Sequence, residues 1–215
     1  TGGSSGIGYQ AVLKLISSGH NIILPCKDIL RANEVLTNIF NQLPCELSKK
    51  GNIYTPIMDL SDLNSIDSLC SEVKKRELNI DVLILNAGLQ YTGSKTPRRS
   101  TQGFELTFAV NHLAHFYLTK NLIPLINRSN DSRIIITSSE VHNPMSSGGR
   151  VGARAGLGNL SGLASGSGFE MIDGNQFNAD KAYKDSKLCN ILFAKELSNR
   201  LDKMSLKIPV LAWAP

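Results

Sequence analysis

Apolar and polar positions along the chain alternate between two periods. Residues 6–18 (GIGYQAVLKLISS) carry apolar side chains at helical spacing, and so do residues 28–42, 64–75 and 179–202. Between them lie short apolar runs that read as buried strands: NIILPC at 21–26, NIYTPIMD at 52–59, IDVLILNAG at 80–88 and RIIITSS at 133–139. A long helix is predicted over 101–126, and IPVLAWAP at 208–215 starts another strand. Strands alternating with helices predict an α/β fold, a doubly wound parallel sheet of Rossmann type with helices on both faces. The whole of 1–215 reads as one dinucleotide-binding domain.

Two places depart from this rhythm. The glycine-rich stretch TGGSSGIG has no strand ahead of it, although a doubly wound sheet needs one at its centre, and the chain stops at Pro215 on a strand end. The pattern therefore predicts a chain shortened at both ends, its first strand missing. Residues 143–178 show no clear period, and eight glycines fall between Gly148 and Gly168. A segment of this length inside a compact domain is expected to act as a substrate lid.

Composition narrows the function classes. Hydrophobic residues are 41% and charged residues 19%, enough apolar surface for one sizeable core. No apolar run approaches the roughly 20 residues needed to span a bilayer. The net charge of +5 suits an anionic cofactor. Nucleic acid is not the expected partner, because no long Lys/Arg block is interleaved with aromatic residues. Cys26, Cys45, Cys70 and Cys189 are far apart without C-x-x-C pairing, which argues for reduced thiols and against a zinc site. His112 and His115 sit three apart without a third ligand nearby, so core or surface histidines are expected and no metal. Trp213 is expected in the core, and Arg98 and Arg99 at a solvated helix start.

The candidate chemistry lies at the predicted carboxyl ends of the strands, where open α/β sheets bind ligands. Gly2, Gly6 and Gly8 permit a tight turn that brings backbone N–H groups to a pyrophosphate at a helix N-terminus, with Ser4 and Ser5 as added donors. Lys27, followed by Asp28, stands where a basic residue favours a ribose 2′-phosphate over a 2′-hydroxyl. Asp59 ends the next strand, either as an acceptor from an adenine amino group or as a helix N-cap. Asn86, Ala87 and Gly88 are small enough for close packing against a cofactor. Ser139 ends the fifth predicted strand. Tyr183 and Lys187 are four apart on a helix and share a face. An ammonium beside a phenol favours the phenolate, so Tyr183 is expected to have a lowered pKa and serve as an acid/base. The amide of Asn111, mid-helix in FAVNHLAHF, is expected to hold a water that relays protons to the lysine.

TGxxxGxG, NAG, a mid-helix Asn, then Ser and YxxxK in that order resemble the short-chain dehydrogenase/reductase family over nearly the whole chain. One departure is LNAG where many members read NNAG. The resemblance implies a catalytic tetrad of Asn111, Ser139, Tyr183 and Lys187. It implies NADPH/NADP as cofactor, held by Gly2, Ser4, Ser5, Gly6, Ile7, Gly8, Lys27, Asp59, Leu60, Asn86, Ala87, Gly88, Tyr183 and Lys187. Tyr183 lies 44 residues beyond Ser139, a wider gap than most members have. The intervening sequence, with its MIDG and AYKDSKLCN, and GFELTFAVNHLAHF earlier, resembles light-dependent protochlorophyllide reductases. That branch implies a hydride to C17 and a proton to C18 of a porphyrin after the pigment absorbs light, with Tyr183 as proton donor. Substrate contacts are expected from His142, otherwise a loop histidine, and from Cys189, otherwise a small core residue. FAVNH and SSEVH also resemble the retinol-dehydrogenase-like branch, which implies a carbonyl or retinol-type reductase without a light requirement. A nucleotide-binding regulator without turnover is a third reading, disfavoured by the intact tetrad. The pigment branch implies a cytoplasmic location or one peripheral to a photosynthetic membrane, and leaves room for membrane contact and a homo-oligomer.

Overall fold

The computed structural model describes residues 1–43, 51–126 and 129–215. In chain order they form α1 (Gly6–Ser17), β1 (Ile22–Ile23), α2 (Ile29–Gln42), β2 (Ile53–Tyr54), α3 (Leu63–Lys75) and β3 (Val82–Leu85). Then come α4 (Leu106–Phe108), a π-helical turn (Ala109–Leu113), α5 (Ala114–Ile126) and β4 (Arg133–Thr137). A 3-10 turn (Glu140–His142), α6 (Ser161–Ala164), α7 (Ala179–Lys203) and β5 (Val210–Trp213) complete the fold.

Local chemistry sets the helix starts. Asp28 accepts from the Arg31 N–H, Asp62 from that of Asn64 and Asn178 from that of Lys181, each satisfying an otherwise unpaired N–H. The helix expected from residue 101 begins five residues later. Residues 100–104 form a tight turn, with the Ser100 N–H bonded to the Phe104 carbonyl at 2.9 Å and Gly103 at φ +84°. Glu105 then caps α4 through the N–H groups of Thr107 and Phe108.

All strand pairs are parallel, in two groups ordered β1-β2 and β3-β4-β5. The first pair is shorter than its apolar runs because Pro25 and Pro56 interrupt the ladder. Pairing resumes beyond them: Cys26 donates to the Pro56 carbonyl at 3.0 Å, and Met58 to that of Cys26 at 2.7 Å. Thr1–Gly3 lie between the two groups. The Thr1 amine donates to the Ile84 carbonyl at 2.6 Å, and Gly3 packs beside Leu24.

Helices cover the sheet on both faces. Val12, Ile16, Ala32, Val35 and Ile39 of α1 and α2 share one core with Leu24 and Cys26. Residues of α3, α5 and α7, among them Ile66, Leu118 and Leu201, bury the β3-β4-β5 group with Leu85, Ile134 and Ile136. Trp213 was expected in the core; it is 42% exposed, although its indole N–H reaches Thr137 Oγ1 at 3.0 Å. No described helix is long and apolar enough to cross a membrane. Cys45 falls outside the described residues; Cys26, Cys70 and Cys189 are buried free thiols.

Candidate active site

The glycine turn opens the site. Gly2 adopts φ +66°, and a Cβ there would stand 2.7 Å from Ala87 Cα. A Cβ on Gly8 would meet the Gly2 carbonyl at 2.2 Å, so α1 packs against its own approach only through a bare backbone. Gly6 is different: at φ +54°, nothing lies within 4 Å of where its Cβ would be. Ser5, Gly6 and Ile7 are exposed, no side chain caps the start of α1, and its first turn holds no acid. Unsatisfied N–H groups at a positive helix end, facing open space, are what a phosphate needs.

The turn is tied to the end of β3. Thr1 Oγ1 accepts from the Asn86 and Ala87 N–H groups, both at 3.0 Å, so its own proton goes to His115 Nε2 at 2.9 Å. That leaves His115 Nδ1–H to donate to the Asn111 carbonyl at 3.1 Å. Asn86 Nδ2 reaches the Gly2 carbonyl at 3.4 Å, and its Oδ1 accepts from Thr137 Oγ1 at 3.2 Å.

Lys27 and Asp59 meet at the ends of the first strand pair, 3.4 Å apart, with the lysine largely exposed. Asp59 does not cap α3; Asp62 does. Instead Asp59 Oδ1 accepts from the Ser61 N–H and hydroxyl at 2.8 and 2.7 Å. Burial raises its pKa, but the Ser61 bonds and the Lys27 ammonium outweigh that and hold it below the usual range. Asp28 is spent on capping α2. Leu60, between Asp59 and Ser61, packs partly buried against the core. The sequence reading missed Arg31, whose Nη2 donates to the Ser4 carbonyl at 2.8 Å. No local spacing announced it: Lys27 precedes the Asp28 cap and lies outside α2, and only the packed fold brings Arg31 to the glycine turn.

The structure brings Asn111, Ser139, Tyr183 and Lys187 together. Asn111 lies in the π-helical turn, fully buried, beside the loop that leaves β3. A side-chain hydrogen bond joins Ser139 and Tyr183. Ser138 Oγ donates to the Lys187 carbonyl at 2.9 Å, which fixes α7 against the end of β4. Gly88 lets the lysine approach: a Cβ there would stand 3.3 Å from Lys187 Nζ and 3.5 Å from Asn111 Oδ1.

Two expectations at this site are corrected. Tyr183 has a raised pKa, because burial dominates and the Ser139 bond only partly opposes it. Lys187 Nζ lies 5.4 Å from the centre of the tyrosine ring and donates to the Thr137 carbonyl at 3.3 Å. Burial lowers its own pKa to about 8. The Asn111 amide is also occupied by protein. Its Nδ2 donates to the Leu89 carbonyl and to Ser186 Oγ, both at 3.0 Å, and its Oδ1 accepts from the Leu89 N–H at 2.7 Å. Neither amide hydrogen is left for a relay water.

The remaining candidates fall at the edges. His142 Nδ1–H donates to the Ser139 carbonyl at 2.5 Å, which places its ring next to the serine. Cys189 is buried with Phe108, Phe169 and Ile172 under the 143–178 segment, and burial pushes its thiol up to about 12. It meets that segment as core, not as an open site wall. His112 and His115 are held by Asn190 Oδ1 and by the Thr1–Asn111 bridge, and burial keeps them neutral, with pKa values near 4 and 3. Among the described residues no group of His, Cys, Asp and Glu is arranged to hold a metal. Arg99 was expected at a solvated helix start; it donates to the Phe169 carbonyl across the fold. Arg98 lies over the Tyr91 ring, 5.1 Å from its centre.

Chemically, the arrangement offers a phosphate cradle with Arg31 at its edge and the Lys27–Asp59 pair at the ends of the first strand pair. One strand end away, a protonated phenol bonds to a serine hydroxyl, with a buried ammonium behind it. The family model for short chain dehydrogenases matches residues 1–150. Protochlorophyllide reductase B, chloroplastic, of Oryza sativa subsp. japonica is 35% identical over 207 residues, covering 93% of this chain and 50% of its own. The protochlorophyllide reductase of Pisum sativum is 36% identical over 208 residues, again 93% and 50%. The chain thus spans about half the length of the curated relatives it matches. An uncharacterized protein from Mycobacterium Paratuberculosis superposes with a TM-score of 0.75 at 27% identity, over 100% of this chain and 65% of that one. The Pseudomonas aeruginosa RhlG/NADP active-site complex does so with 0.69 at 21% identity, over 100% and 69%.

Proposed function

The chain belongs to the short-chain dehydrogenase family, and from that premise we propose that it is an NADPH-dependent reductase of protochlorophyllide, driven by light that the pigment absorbs. The observation that carries this reading is the likeness to protochlorophyllide reductases over 93% of the chain, a span that takes in the long segment between Ser139 and Tyr183.

The residues fit the cofactor. The uncapped start of α1 and the open face at Gly6 suit a pyrophosphate. Lys27 and Arg31 suit a 2′-phosphate, which charge-assisted hydrogen bonds favour over a hydroxyl. Lys187 and Tyr183 are the groups that would hold the nicotinamide ribose. When bound, NADPH supplies the hydride that goes to C17 of the C17–C18 double bond. Tyr183 gives its phenolic proton to C18, so one hydride and one proton saturate the bond. A pKa raised by burial keeps that phenol protonated at neutral pH. Lys187, charged below about pH 8, stabilises the phenolate left behind and the hydroxyl of Ser139 hydrogen-bonds it. Asn111 holds the Gly88–Leu89 backbone beside the lysine.

A second reading is a carbonyl or retinol-type reductase with the same tetrad, independent of light; it rests on the likeness of FAVNH and SSEVH to the retinol-dehydrogenase-like branch. The test mixes the protein with NADPH and protochlorophyllide in darkness, flashes it and records the red absorbance band. A light-dependent shift towards chlorophyllide supports the pigment reading. No shift with NADPH still bound refutes it and directs the search to ketones, aldehydes and retinoids.

A further inference from the structure

The helix that carries Tyr183 and Lys187 carries a second set of buried charges between and before them. Lys181 Nζ donates to the Gly156 carbonyl at 2.6 Å and pairs with Asp173 at 3.0 Å and Asp185 at 2.5 Å. Asp185 is fully buried, and its other oxygen accepts from the Gly156 N–H at 2.9 Å. Lys184, 6% exposed, donates to the carbonyls of Gly149 and Val151. None of these groups bonds to the tetrad. All face the 143–178 segment, which has little regular structure of its own beyond the single turn of α6. Phe169 and Ile172 bury one part of it against Cys189, while its glycine-rich stretch is held to α7 through charged groups that reach the backbone of Gly149, Val151 and Gly156. Buried charges of this kind are tolerated when they are paired and hydrogen-bonded, as Lys181, Asp173 and Asp185 are, while Lys184 is held by its two backbone carbonyls.

We propose that Lys181, Asp173 and Asp185 form a latch that positions the 143–178 segment on α7, in register with Tyr183 and Lys187, and so sets how substrate is covered. These are positioning residues, and the substrate part of the statement rests on the function proposed above. The latch couples two parts of the site through one rigid element: α7 presents its catalytic face to the cleft and its latch face to the cover.

The test is Asp173→Asn, which keeps the shape of the turn that accepts from the Asn175 N–H while removing one charge. Trypsin provides a readout independent of turnover, because Arg150 and Arg154 are exposed within the segment. Tryptic cleavage there is expected to accelerate about tenfold, tracking the opened population. The KM for protochlorophyllide rises by about the same factor, while the NADPH dissociation constant stays within about twofold. Lys181→Met cleaves faster still, and adding Asp173→Asn to it gives no further acceleration, since both act in one network. An unchanged tryptic rate in Asp173→Asn overturns the latch. A loss of NADPH affinity in step with the KM also overturns it, because the lesion would then be global. If the wild type fails to reduce protochlorophyllide while Asp173→Asn still cleaves faster, the substrate reading falls and the latch stands.

Discussion

Replacing Lys187 by methionine should raise the stability of the cofactor-free protein while destroying its activity. Lys187 is 3% exposed and has no carboxylate acting on it; burial alone depresses its pKa from 10.5 to about 8. A drop of this size, at about 1.36 kcal/mol per unit, means that keeping the ammonium charged costs the folded state about 3 kcal/mol. Below pH 8 the folded and unfolded chains both carry the proton, and the penalty is present in full. Between pH 8 and 10.5 the unfolded chain holds the proton and the folded one does not, so wild-type stability rises with pH across that window. Methionine fills nearly the same space without the charge. It loses the 3.3 Å bond to the Thr137 carbonyl, worth about 1 kcal/mol, but that oxygen keeps the Asn190 amide at 3.3 Å. The net gain at pH 7 is about 2 kcal/mol, a rise of roughly 4–8 °C in melting temperature for a chain of this size. Calorimetric melts of both proteins at pH 7 and pH 10 measure it. The gain should be present at pH 7 and nearly gone at pH 10. A variant that melts below wild type at pH 7, or gains equally at both pH values, refutes the reasoning.

Other perturbations separate the parts of the site. Tyr183→Phe should lower kcat about 10²–10⁴-fold, the usual contribution of a positioned acid, with NADPH affinity within a few-fold of wild type; single-turnover kinetics and a binding titration check this. Arg31→Ala should weaken NADPH by about 10-fold or more through loss of a charged hydrogen bond and leave NADH unchanged; equal losses for both would remove Arg31 from the 2′-phosphate. Gly8→Ala should cost about 1–3 kcal/mol of stability, because its Cβ meets the Gly2 carbonyl at 2.2 Å and backbone must move. Gly6→Ala pays only about 1 kcal/mol for its left-handed conformation, yet weakens NADPH about tenfold by filling the open face of the turn. Thermal melts and NADPH titrations of the two variants should therefore rank them oppositely.

The helices were legible because their signals are local. The apolar period and the caps Asp28, Asp62 and Asn178 act within a single turn, and α1, α2, α3 and α7 begin and end within about a residue or two of where the pattern puts them. The order of the tetrad was legible too, since chain order alone places Ser139 at a strand end and Tyr183 and Lys187 on one helix face. The reach of Arg31 to Ser4 spans 27 positions in the chain, and that of Asn111 to Ser186 spans 75. No period or spacing encodes which side chains such distances bring together. The same holds for the raised pKa of Tyr183, the lowered one of Lys187 and the burial of Cys189. Each depends on how much water the surrounding elements exclude. The sequence by itself determined the alternating architecture and which residues could do chemistry. The tertiary structure decided their protonation, their occupied hydrogen bonds and which face of α7 holds the cover, because desolvation and through-space pairing exist only once distant segments pack.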